Sequence, residues 1–67
     1  MELIINGAVK NFPDEMSVEK LIETLGVNKN FLVVEVNHEI IRLTDDQIKK
    51  KLNSGDQVEL IQFVGGG

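Results

Sequence analysis

The sequence predicts an α+β domain in which one main helix lies across one face of a mixed sheet of about five strands. Three observations predict it. A single segment has helical apolar periodicity and a recognisable cap at each end. The remaining apolar segments are short, strand-like and separated by turn residues. The last of them is apolar on both parities, which places it inside a sheet and not at its edge.

The elements follow in order. Glu2-Leu3-Ile4-Ile5 is a short apolar run that reaches Asn6-Gly7. Asn-Gly between two apolar runs signals a tight hairpin, because both residues tolerate positive φ. The return strand is Ala8-Val9-Lys10-Asn11-Phe12, with Val9 and Lys10 on opposite faces. Pro13-Asp14-Glu15 breaks the ladder, since proline has no N–H to donate. Ser17 is a good helix N-cap, and Met16 and Leu21 have the spacing of a hydrophobic staple. Val18, Leu21, Ile22 and Leu25 form one apolar stripe, and Glu19 suits the positive end of the helix dipole. Gly26 stands where a left-handed stop is wanted.

Phe31-Leu32-Val33-Val34-Glu35-Val36 is the third strand, apolar enough to be central or covered. Asn37-His38-Glu39 turns into a short strand at Ile40-Ile41. Thr44 and Gln47 match a capping box that opens a short helical turn, with Ile48 and Leu52 facing the core. Lys49-Lys50-Lys51 reads as a solvated run near a helix C-terminus. Asn53-Ser54-Gly55-Asp56 turns the chain into the final strand, Val58 to Val64. Glu2 and Glu59 are expected to approach each other if the first and last strands pair.

The composition excludes several functions. Sixty-seven residues make one domain, 1–67, with a core that supplies roughly 3–5 kcal/mol. With no cysteine there is no disulfide and no thiol nucleophile. The single histidine, His38, rules out a histidine-rich metal site and reads as a surface turn residue. Asp45 and Asp46 are better explained by capping than by a metal, because adjacent helix side chains diverge. The net charge of −4 argues against nucleic acid as a partner. The apolar runs fall short of the ~20 residues a membrane span needs, and no basic-then-apolar leader opens the chain. A cytoplasmic protein, monomeric when free, is expected, since no large apolar face is left over after the helix and sheet pack.

What remains is the end of the sequence, Phe63-Val64-Gly65-Gly66-Gly67. A strand running into bare glycine presents a carboxylate on a thin, flexible stalk, 64–67, that can enter a channel where any side chain would clash. The carboxylate of Gly67 is therefore the candidate functional group, with Gly65 and Gly66 as its tail. Terminal glycines are also tolerated wherever nothing packs on a chain end, and that is the competing reading.

These residues resemble the ubiquitin-like β-grasp fold, and more closely the ThiS family of sulfur carriers in thiazole (thiamin) synthesis. Three stretches carry the resemblance. They are Ser17-Val18 with Leu21-Ile22 and Leu25-Gly26, then Val34 through Ile41, then Gly55-Asp56-Gln57-Val58-Glu59-Leu60-Ile61 running into the terminal glycines. The resemblance implies a carrier and not an enzyme. A ThiF-like adenylating enzyme would use ATP to convert the Gly67 carboxylate to an acyl-adenylate. Sulfur from a cysteine desulfurase or other persulfide donor would then give a thiocarboxylate, which thiazole synthase would consume. No cofactor is expected on the chain itself. Phe63, Ile61 and Val64 are the candidates for an apolar patch that docks those partners, the alternative being that they are core. The small subunit of molybdopterin synthase, a ubiquitin-like protein modifier and a plain binding module are the competing functions.

Overall fold

The structure, a computed structural model, describes residues 1–63. Its strands are β1 (Glu2–Ile5), β2 (Ala8–Asn11), β3 (Leu32–Val36), β4 (Glu39–Ile41) and β5 (Gln57–Gln62), with one α-helix, α1 (Val18–Leu25). Two 3₁₀ turns, Lys29–Phe31 and Asp46–Lys49, complete the order.

The five strands form one sheet in the order β2-β1-β5-β3-β4. β5, the last in sequence, is the middle strand. It runs parallel to β1, with Ile5 opposite Val58, and antiparallel to β3, with Leu32 opposite Gln62. The interior position expected for this strand is found, with Val58 and Leu60 on its core-facing parity and Ile61 on the uncovered one.

Each hairpin turns through residues at positive φ. Asn6 and Gly7 lie at 48° and 84°, and Asn37 and His38 at 51° and 71°. These are the primed turns whose twist matches that of the flanking strands. α1 is capped as the sequence predicts. Ser17 Oγ accepts from the Lys20 N–H at 3.1 Å, and Gly26 takes the left-handed conformation at φ 69°. The Gly26 N–H donates back to the carbonyls of Ile22 and Glu23.

The core lies between α1 and one face of the sheet. Val18, Leu21 and Ile22 pack in one cluster with Leu3 and Ile5 of β1, Val34 and Val36 of β3, and Val58 of β5. Ile48 and Leu52 join it, as expected from their spacing. The segment that carries them is tied to the helix start: the Val18 N–H donates to the Lys50 carbonyl at 3.0 Å, and the Leu52 N–H to the Met16 carbonyl at 2.8 Å. Among the described residues no polar or charged side chain is buried.

Four expectations are corrected. Phe31 is not in the third strand. The Asn28 side chain accepts from the Asn30 N–H and holds Lys29–Phe31 in a 3₁₀ turn, so the strand starts at Leu32 and Phe31 stays exposed. Thr44 is not the cap of the second helical turn. Asp45 is, accepting from the Gln47 N–H at 2.9 Å, and the Gln47 side chain accepts instead from the Arg42 N–H at 3.0 Å. Glu59 does not approach Glu2. The parallel register puts Glu2 beside the Asn53–Asp56 turn, where its carbonyl accepts from the Gly55 N–H, and puts Glu59 opposite Glu35. The uncovered sheet face is also more apolar than expected, because it keeps Val9, Ile40 and Ile61 exposed.

Candidate functional site

The candidate site is the exit of β5. Alternation along β5 sends Val58 into the core and Glu59 and Ile61 to the uncovered face. Ile61 is 40% exposed and Phe63 58%, so neither belongs to the core. Phe63 lies one residue beyond the strand. Its N–H still donates to the Phe31 carbonyl at 2.8 Å, which carries the β3 ladder past Gln62 and brings two exposed phenylalanines to one end of the sheet. Val64, Gly65, Gly66 and Gly67, which hold the candidate carboxylate and its tail, lie outside the described residues.

Two asparagines hold β5 in place from opposite sides. The Asn6 side chain accepts from the Leu60 N–H at 2.8 Å and donates to the Leu60 carbonyl at 3.3 Å. It replaces two rungs of backbone ladder just where β1 has ended, one residue before Ile61. Asn37 acts in the same way at the other end of the strand. Its side chain accepts from the Gln57 N–H at 2.9 Å and donates to Asp56 Oδ1 at 3.0 Å, while its own N–H donates to the Gln57 carbonyl at 2.8 Å. The two hairpin turns thus grip the central strand at both ends. The sequence marks Asn6 and Asn37 as turn residues because they tolerate left-handed φ. Their second role depends on which strand lies beside the turn, and no local pattern reveals that.

Other sequence candidates play no part here. His38 is an exposed turn residue. Asp45 caps the second 3₁₀ turn, as its place in the sequence suggested. Among the described residues no three of histidine, cysteine, aspartate and glutamate gather as a metal cluster. Within them no helix is long and apolar enough to cross a membrane. A five-stranded mixed sheet with one helix across one face, and a last strand at its centre leading to glycine, defines the ubiquitin-like β-grasp class.

The comparisons specify that class. The ThiS family profile matches residues 3–67. A thiazole synthase of Paramagnetospirillum magneticum is 40% identical over all 67 residues, and the chain spans about a fifth (20%) of that protein's length. The crystal structure of a thiamine biosynthesis protein (ThiS) from Geobacter metallireducens superposes with a TM-score of 0.82 at 28% identity, covering 100% of both chains. The solution structure of a thiamine biosynthesis protein from the same organism gives 0.79 at 28% identity, covering 100% of this chain and 88% of that one. This chain belongs to the ThiS family.

Proposed function

We propose that this chain is a sulfur carrier of thiamin biosynthesis and that Gly67 is the residue that carries the sulfur. The observation that supports the reading most is the match to the ThiS family over residues 3–67, which runs through the terminal glycines. The chemistry follows from what a carboxylate is. It is a poor electrophile until one oxygen becomes a leaving group. An adenylating enzyme of the ThiF kind attaches AMP from ATP and releases pyrophosphate. The terminal sulfur of a persulfide, supplied by a cysteine desulfurase route, attacks the acyl carbon and AMP leaves. Thiol cleavage of the resulting disulfide frees the thiocarboxylate. Thiazole synthase then takes the sulfur. The thiazole synthase from P. magneticum, which contains a stretch 40% identical to this chain, supports that enzyme as a partner.

The carrier's own part is geometric. Gly65 and Gly66 have no side chain to obstruct a narrow active site. The body supplies a docking surface at the exit of β5, with Phe63, Ile61 and Val64 as its apolar contacts. Phe63→Ala is expected to raise the KM for the carrier in the adenylation reaction about five-fold or more, with the melting temperature unchanged. An unchanged KM removes Phe63 from the docking surface.

Intact-mass spectrometry after incubation with the adenylating enzyme, ATP and a persulfide donor tests the whole reading. The expected product is heavier by one sulfur-for-oxygen exchange, and it is lost when Gly67 is deleted. Finding only the unmodified carboxylate overturns the carrier. Rescue of thiamin-dependent growth, and not of molybdoenzyme activity, assigns the pathway.

A further inference from the structure

The uncovered sheet face carries a charge arrangement that folding alone does not favour. Glu35 of β3 and Glu59 of β5 are directly opposite in the antiparallel register. Side chains so placed have Cβ atoms about 4.5–5.5 Å apart, and like charges there are destabilising. Among the described residues the one ion pair within 4.0 Å joins the Met1 ammonium to Asp14, at 3.3 Å, so neither glutamate is neutralised by a neighbour. The outward positions of the strands add Glu2 but no lysine or arginine. Apolar groups flank the pair on two sides, while Gln57 continues the outward face of β5 beyond Glu59. Ile40 stands opposite Glu35 on its other side, and Ile61 and Val33 face each other two residues further along.

We infer that this face docks a basic surface of a partner protein, with an arginine guanidinium seated between Glu35 and Glu59 and apolar contacts on Val33, Ile40 and Ile61. The inference deepens the carrier reading and rests on it, since it describes how a partner enzyme would grip the body while the tail is used. A planar guanidinium presents donors along two edges and can bridge two carboxylates, which a lysine ammonium does less well. A docked partner that covers Val33, Ile40 and Ile61 would exclude water from the pair, and the charge pairing would then count for more than at an open surface. A second copy of this chain does not fit the face, because docking it on itself would bring the two glutamate pairs together. Nucleic acid and anionic membrane have the wrong sign. The fold thus tolerates a repulsion that docking relieves.

The test compares wild type with Glu35→Gln/Glu59→Gln, titrated against the adenylating enzyme of the same host at low and high sodium chloride. The variant is expected to bind about ten-fold or more weakly at low salt. Added salt should weaken the wild-type complex and leave the variant's nearly unchanged. Glu19→Gln/Glu23→Gln, which removes the same charge from α1, should bind like wild type. The sheet variant should also melt about 1–5 °C higher than wild type, because the repulsion is gone, so weaker binding cannot come from unfolding. Equal affinity and salt dependence in wild type and sheet variant overturn the docking inference. If Gly67 is still converted to the thiocarboxylate in that case, the carrier reading stands. If wild type neither binds the enzyme nor is modified, both fall.

Discussion

Asn6 and Asn37 each do two things that one residue type can combine. Each enters a turn at positive φ, and each uses its side-chain amide as ladder rungs for β5. Asn6→Gly keeps the turn, removes the rungs and loosens the unfolded chain. Each lost hydrogen bond costs about 0.5–1.5 kcal/mol net, and glycine adds about 0.5–1 in chain entropy. A loss of about 2 kcal/mol in urea unfolding is expected, together with faster amide exchange at Leu60. Normal protection of Leu60 in that variant would show that the clamp does not hold β5. His38 offers the opposite case. It sits at φ 71° where a primed turn prefers glycine. Left-handed backbone costs a side-chain-bearing residue about 1–2 kcal/mol, and glycine returns part of that as entropy. His38→Gly should therefore stabilise by about 0.5–1 kcal/mol, read as a higher urea midpoint with an unchanged slope. At this scale the sequence shows which residues turn the chain, because φ preference is a property of the residue alone. It does not show what the turn residue's side chain reaches. The Glu35–Glu59 pair is hidden for the same reason: its partners are 24 residues apart and meet only through register.

The elements were legible where their signals are local and unopposed. α1 has a stripe, an N-cap and a glycine stop, and all are found in place. Removing the N-cap should be measurable. Ser17→Ala takes away the acceptor for the Lys20 N–H and is expected to cost about 1 kcal/mol, seen as a lower melting temperature with unchanged helical circular dichroism below the transition. No loss would mean that water replaces the cap. The second helical turn is ambiguous in the sequence because two residues compete for one role. Thr44 and Asp45 can both cap, and the choice falls to Asp45 once Gln47 is drawn back to the Arg42 N–H. β3 starts one residue later than its apolar run suggests for a similar reason. Phe31 has strand propensity, but the Asn28 cap claims it for the preceding 3₁₀ turn. Propensity is a weak prior, and a hydrogen-bonded cap outweighs it.

At the scale of the molecule, the stability rests on a single small cluster between α1 and one face of the sheet. Leu21 is fully buried in it. Leu→Ala in a core costs about 2–5 kcal/mol. A domain of this size has about 3–5 to spend. Leu21→Ala should therefore lack a cooperative melting transition at room temperature, whereas Val9→Thr on the exposed edge strand should keep one. A cooperative transition in Leu21→Ala would show that the core is more deeply stabilised than its size implies. The class of the fold was legible at this scale because element order and the apolarity of β5 constrain the sheet. The open face was not, because which residues stay uncovered depends on how far one eight-residue helix reaches over five strands. The place of β5 has a consequence for biosynthesis. The ribosome makes this strand after the other four, yet it is the one that joins them. A nascent chain ending before Gln57 holds two separate hairpins and a helix with nothing to unite their apolar faces. Closure of the sheet therefore waits for β5, and the segment leading to the glycines follows directly behind the strand that closes it.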